Sequence, residues 1–424
     1  TRSTTVTGVQ TCALPIYTVT FFPFSFPEAD IRKNAAPMIM RNMSRTISAF
    51  FITLNICTPE RINMKKFIKI MAAIVISTLV IIPQTGCGKK TESSQNGNAG
   101  SAESVEPVSK DSFYFDTVCQ VTVYDMKDMS GENAEKVIEK AFKECAKYEK
   151  LLSKTKKGSD IDRINHAGGK PVKCDKLTID VIKKGLEYSK LTNGRFDITI
   201  GKAQDLWNFE QKGSKGASRM SKPPARKKLA AAMKYVDYRQ VKIDGDEVTM
   251  GTGKGEMDLG AIAKGYIADR ISEYLEQNGV KSAIVNLGQS NVACIGDKHG
   301  APFKVGIQKP VPESDEIVGA VEIKNGVVVT SGIYERYIEY KGKKYHHILD
   351  SKTGMPVDSD VAGVSIRAGY GNSTGGDGLS TTCLILGSEE GKKLIDSMKG
   401  YEAAFILKNG KIVKTDGFDL KKVD

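Results

Sequence analysis

Several marks of common ligand classes are scarce or missing from this sequence. It has 4 histidines and 1 tryptophan among 424 residues. It has no CxxC pair and no zinc-finger spacing of cysteine and histidine. No long basic run or repeated aromatic stacking pattern accompanies the net charge of +12, so the composition points to no nucleic-acid partner. Part of that charge is local, since residues 1–86 carry 9 Lys+Arg against 3 Asp+Glu. The glycines of Met250–Gly255 lack the GxxxxGK[ST] spacing of a P-loop and read as a strand-end turn. No internal repeat is present.

What remains is an ordinary globular composition, 40% hydrophobic and 26% charged, long enough for one large or two ordinary domains. The most telling N-terminal stretch begins at Met64. Lys65, Lys66 and Lys69 precede an apolar run from Ile70 to Ile82, and Gln84-Thr85-Gly86-Cys87 follows. The run is shorter than the roughly 18 residues of a membrane span. A positive start, a short apolar core and a small residue before cysteine describe an export signal. It resembles a bacterial lipoprotein signal, with Cys87 lipidated and the rest held at the extracytoplasmic face of the cytoplasmic membrane. Gln84 stands where an aliphatic residue is usual. Residues 1–63 show no domain pattern and read as a non-native or mis-annotated extension.

Residues 88–110 are rich in Gly, Ser, Glu and Lys and read as a flexible tether. The expected organisation is a signal over 64–86, a lipidated linker over 87–112 and a folded domain over 113–424. Five cysteines follow Cys87, an odd number without CxxC, and buried free thiols are expected.

Residues 113–124 alternate like a strand. Helices are expected over 133–152 and 178–193, the second closed by the left-handed cap signal Asn193-Gly194. Residues 211–226 read as a polar loop. Further helices are expected near 225–234, from Asp258 to about Asn278, and from about 378. Strands fall between and after them, ending in a hairpin turn at Lys408–Lys411. Strands and helices interleave without strict βαβ alternation, which predicts an α+β fold with mixed or antiparallel sheets and flanking helices.

Three segments are candidates for chemistry. Asp258-Leu259-Gly260-Ala261-Ile262-Ala263-Lys264-Gly265 combines small residues with a helix start able to face an anion. It is equally compatible with an ordinary N-cap. Gly375-Gly376-Asp377-Gly378-Leu379-Ser380-Thr381 places a carboxylate and a hydroxyl one helical turn apart, an oxygen set suited to Mg²⁺. A simple Asp N-cap is the alternative. Tyr345-His346-His347-Ile348-Leu349-Asp350 holds two of the four histidines.

Taken in order, these segments resemble the ApbE family of FAD:protein FMN transferases. The resemblance runs through Phe115-Asp116-Thr117, Leu152-Ser153 with Asp162-Arg163-Ile164-Asn165, and Gly194-Arg195-Phe196-Asp197. It continues through DLGAIAKG, Val285-Asn286-Leu287-Gly288, Thr330-Ser331-Gly332-Ile333-Tyr334-Glu335-Arg336, HHILDSKTGMP and DGLST. It spans roughly residues 113–410. By that resemblance, Mg²⁺ falls on the side chains of Asp377 and Thr381 and the carbonyls of Ala261 and Ser380. FAD contacts fall on Phe115, Arg195, Phe196, Asp197, Asp258, Lys264 and Ile348. His347 or Asp258 takes the proton of the attacking hydroxyl.

The implied reaction is Mg²⁺-dependent transfer of FMN from FAD to a Ser/Thr hydroxyl of a protein, releasing AMP. Implied acceptors are subunits of membrane redox complexes of the Rnf or NADH:quinone type. Four departures from the family pattern stand out: Phe115-Asp116 for Met-Gly, Gln289 for a second Gly, Ser351 for Pro, and Thr155 for an aromatic residue beside the flavin. The alternatives are an FAD pyrophosphatase releasing FMN and AMP, and a non-catalytic flavin-binding lipoprotein.

Overall fold

The computed structural model describes residues 106–209, 222–312, 314 and 316–423. The signal, Cys87, residues 88–105 of the tether and residues 211–221 of the polar loop lie outside them, while residues 108–112, expected as linker, belong to the first strand. The expected α+β architecture is present. Eight strands form one antiparallel sheet. In spatial order they are β1 (Val108–Tyr114), β2 (Thr117–Met126), β6 (Val280–Leu287), β7 (Asn291–Ile295), β10 (Gly326–Gly332), β13 (Val361–Gly369), β14 (Tyr401–Leu407) and β15 (Ile412–Lys414). Smaller antiparallel sheets are β3–β5–β4 (Val172–Lys173, Glu247–Met250, Val241–Asp244), β8–β9 (Phe303–Gln308, Ile317–Ile323) and β11–β12 (Tyr337–Tyr340, Lys343–His346).

Eight helices accompany the sheets among the described residues: α1 (Gly131–Leu152), α2 (Asp160–His166), α3 (Lys176–Leu191), α4 (Gly201–Trp207), α5 (Arg226–Met233), α6 (Ala263–Gln277), α7 (Ser373–Leu386) and α8 (Ser388–Asp396). The alternation of strand side chains explains the layering. Val121, Val285, Ala293, Val329 and Val364 point to one face of the sheet, where they form the main core with Ile138, Ile267, Ile271, Leu379 and Leu384 of the helices. From the opposite face Cys294, Val328, Ala404 and Ile406 meet the β8–β9 hairpin through Phe303, Ile307, Val321 and Ile323. The five described cysteines are buried free thiols.

Three elements differ from the sequence expectation in ways that shape the site. The alternating run 113–124 is a tight hairpin, with Phe115 and Asp116 both left-handed at φ 56° and 57°. The helix expected from Asp258 begins at Ala263, because residues 258–262 form turns around the Leu259 carbonyl. Helix α7 begins at Ser373, five residues early, in spite of its glycines.

That early start has a tertiary cause. Asp269 of α6 is 3% exposed, and its carboxylate accepts from the backbone N–H groups of Ser373 and Thr374, each at 2.8 Å, and from the Thr374 hydroxyl at 2.6 Å. A side chain from one helix thus caps the next, satisfying donors that a helix start leaves unpaired. Asp269→Ala strands these donors in the core and is expected to lower stability by about 3 kcal/mol, read as a shift of the denaturation midpoint. An unchanged midpoint would mean that α7 is capped some other way.

Candidate active site

A cavity of about 770 Å³ opens where the β1–β2 turn, the end of α1, α4, the turns before α6, the end of β10 and the face of α7 converge. Phe115, Phe196, Asp197, Asp258, Ala261, Lys264, His347, Ile348, Asp377 and Thr381 all line it. Residues more than 260 positions apart in sequence are thus collected in one place. Arg195 and Ser380 are not on its wall.

Asp377 anchors the floor. It is 5% exposed, and its Oδ2 accepts the Gly265 N–H at 2.8 Å. An uninterrupted helix would direct that N–H to the Ala261 carbonyl four residues back. Here it goes to Asp377 instead, and Ala261 stands on the same wall ahead of the helix. Burial pushes the Asp377 carboxyl above its ordinary range, opposed by the Lys264 ammonium and the Gly265 N–H. Thr381 lies one turn along α7, its Oγ1 3.2 Å from Ser331 Oγ. Ser380 backs this set: its hydroxyl meets Ser331 Oγ at 2.8 Å and donates to the Asp377 carbonyl at 3.0 Å.

A buried carboxylate, a hydroxyl and an adjacent carbonyl form an all-oxygen donor set that fits a hard divalent cation such as Mg²⁺. Asp377 supplies the single negative charge of that set. Among the described residues no group of three or more His, Cys, Asp or Glu side chains is arranged to hold a metal, so the floor resembles no thiolate or imidazole site.

The cationic groups are placed by specific partners. Lys264 Nζ donates to Ser290 Oγ at 2.6 Å. Lys154, with a side chain 12% exposed, bridges the carboxylates of Asp205 and Asp258, the latter at 3.3 Å. Burial works against its charge, but the two carboxylates outweigh it and hold its pKa above the ordinary value. Asp258 also accepts the Gly260 N–H at 2.8 Å, so it shapes the turn before α6 while facing the cavity.

The adjacent histidines part where β12 ends, His346 being its last residue and His347 lying just beyond it. His346 is buried with Nε2 3.1 Å from the Val357 carbonyl, a structural contact away from the cavity. His347 lines the cavity, with Nδ1 3.1 Å from the Arg336 carbonyl. A carbonyl only accepts, so Nδ1 carries the hydrogen and Nε2 keeps a lone pair. Burial, reinforced by Arg336, pushes His347 down to about 3, so the ring is neutral at physiological pH. Phe209 stands edge-on to it, ring centres 6.4 Å apart, and is itself stacked on Trp207.

Two residues expected to contact ligand have other structural duties. Asp197 faces the cavity, but its carboxylate is taken by the N–H and hydroxyl of Thr199 and the N–H of Tyr238, at 2.7–2.9 Å. Arg195 donates to the Ile385 carbonyl at 2.8 Å and pairs with Glu390, closing the end of α7 behind the wall. Conversely, Lys154, Gln204 and Phe209 line the cavity without having been singled out from sequence, and Glu335 and Arg336 line it without having been given a role there. Glu335 is pushed up by burial, opposed by Lys264 and Arg336, with Asp377 adding to the rise. Its place in the segment ending Tyr334-Glu335-Arg336, directly after β10, was the available signal.

Fold and cavity together define an α+β protein whose large sheet supports a cavity with the buried Asp377 at its floor and Lys264, at the start of α6, beside it. Comparison with known proteins makes the assignment specific. The model of the ApbE family matches residues 115–405, and the chain belongs to that family. It is similar to an FAD:protein FMN transferase of Treponema pallidum, 31% identical over 338 residues, covering 76% of this chain and 90% of that protein. One from Klebsiella pneumoniae is 34% identical over 284 residues, covering 66% and 84%. Among solved structures, the ApbE protein of Thermotoga maritima superposes with a TM-score of 0.65 at 28% identity, covering 73% of this chain and 97% of that one.

Proposed function

We propose that this chain is an FAD:protein FMN transferase that moves FMN from FAD to a serine or threonine hydroxyl of a protein and releases AMP. The observation that carries this reading is the meeting of Asp377, Thr381, Ala261, Lys264 and His347 on one cavity, in a chain whose relatives bear that activity as their name. The acceptor oxygen attacks the FMN-side phosphorus. A new O–P bond forms, the pyrophosphate P–O bond breaks, and its electron pair leaves on AMP. Asp377, Thr381 and the carbonyls of Ala261 and Ser380 would hold a Mg²⁺ ion, which would supply charge neutralisation at the diphosphate.

The chain's own groups do the rest. Lys264 faces the same anionic oxygens and stabilises charge that grows on them. His347 receives the hydroxyl proton at Nε2, the nitrogen that the Arg336 carbonyl leaves free. Asp258, paired with Lys154, is the alternative acceptor for that step. Phe115, Phe196 and Ile348 give the cavity apolar wall for a flavin ring system. Lipidation at Cys87 and a tether of about 25 residues, reaching on the order of 25–30 Å as a coil, suit acceptors in the same extracytoplasmic membrane face, such as Rnf or NADH:quinone subunits.

Incubation with FAD, Mg²⁺ and such a subunit is expected to yield covalent flavin fluorescence on the acceptor and one AMP per flavin. His347→Ala is expected to slow that transfer at least about a hundredfold while FAD still binds. Transfer undiminished in His347→Ala would remove the proton acceptor from this scheme. A second reading, hydrolysis of FAD by water, is favoured by Thr155, a small residue on the cavity wall held by Ser153 Oγ at 3.1 Å. Soluble FMN without labelled acceptor is its signature.

A further inference from the structure

Beside the cavity mouth lies an apolar pair that the proposed chemistry does not use. Phe113 and Val118 are 66% and 54% exposed, and they are direct cross-strand partners in the β1–β2 hairpin. Among the described residues β1 is an edge strand of the large sheet. Exposed apolar side chains at a sheet edge invite pairing with another chain, and edges generally avoid them. This hairpin is also held rigidly. Its two turn residues are left-handed, the Phe115 N–H donates to Glu149 at 2.8 Å, and the Tyr114 ring lies 6.3 Å from that of Phe142. An exposed pair on a pre-set support loses little conformational freedom when it is covered.

The occupant follows from position. Phe113 belongs both to the exposed pair and to the cavity rim, so whatever covers the pair continues into the mouth. A small flavin nucleotide needs no surface outside the cavity. A protein hydroxyl, by contrast, reaches the phosphorus only with its own chain lying across the rim.

We propose that Phe113 and Val118 form the docking surface for the acceptor polypeptide, receiving an apolar side chain near the accepting hydroxyl. This rests on the flavin-transfer reading and adds the means by which the second substrate is held. Docking of this kind raises the effective concentration of the hydroxyl and leaves the bond-breaking groups untouched.

The test is Val118→Asp in the full chain, with a purified Rnf-type redox subunit as acceptor. The kcat/KM for the acceptor is expected to fall about tenfold or more, mainly through KM. Val118→Ile is expected to retain the parent value. FAD binding, read by flavin fluorescence, stays unchanged in both and shows that the variants are folded. An unaltered acceptor KM in Val118→Asp overturns the docking surface while leaving the flavin-transfer reading in place. So does a variant that instead dissociates a dimer or releases anionic vesicles with acceptor kinetics intact. A parent chain that transfers no flavin sinks both ideas together.

Discussion

Asp377→Ala is expected to lower flavin transfer by about a thousandfold or more, the scale of losing the charged group that organises a phosphoryl-transfer site. The reason lies in the composition of the floor. Thr381 and the Ala261 carbonyl are neutral donors, so Asp377 alone supplies negative charge to the proposed cation site. Its second duty is structural, since Oδ2 accepts the Gly265 N–H. Asp377→Asn separates the two, because an amide oxygen still accepts that N–H while the charge is gone. Transfer and Mg²⁺ binding by calorimetry should fall in both variants, whereas the thermal midpoint should fall mainly in Asp377→Ala. If Asp377→Asn binds Mg²⁺ as the parent does, the metal is held elsewhere.

Gly265→Ala should lower transfer by roughly a hundredfold, although it adds a single methyl group and removes no functional atom. A Cβ at Gly265 would lie 2.3 Å from the Ser373 carbonyl oxygen and 2.7 Å from the Asp377 Cβ. Neither neighbour can rotate away, because one is backbone and the other is the root of the side chain. Helices α6 and α7 must then separate, and the Gly265–Asp377 bond lengthens or breaks. Such overpacking costs about 1–3 kcal/mol, and displacing a reacting centre by about 1 Å lowers rate by roughly a hundredfold. Gly131→Ala is the matching control, since a Cβ there meets nothing within 4 Å. Near-parent transfer in Gly265→Ala would show that the two helices do not need this close approach.

Much of this arrangement was legible in the sequence because it rests on local rules. The amphipathic repeat over 133–152 corresponds to α1, and Asn193-Gly194 closes the helix before it with φ of 49° and 76°. The order of the motifs found the floor of the cavity, because Asp377 and Thr381 share one helix face. What was not legible depends on partners distant in sequence. The glycines at 375–378 read as loop, yet they are helical because Asp269 caps the start and the chain packs tightly there. Two left-handed residues at Phe115 and Asp116 carry no glycine signal, and the Glu149 carboxylate that steadies them lies 34 positions on.

The same limit applies to the charged groups. Lys154 looks like any surface lysine until Asp205 and Asp258 close around it. Arg195 and Asp197 sit in a stretch that reads as ligand contact, and the structure directs most of their hydrogen bonds inward to the scaffold. Composition and spacing alone do not separate His346 from His347; the family resemblance points to the second, and that is the one that lines the cavity, just past the end of β12.

The most direct measurement is the mass of tryptic peptides from an acceptor incubated with this chain, FAD and Mg²⁺. The account predicts one serine- or threonine-containing peptide heavier by FMN less one water, with AMP formed in equal amount. An acceptor of unchanged mass, alongside FAD consumed to free FMN or not consumed at all, would contradict it.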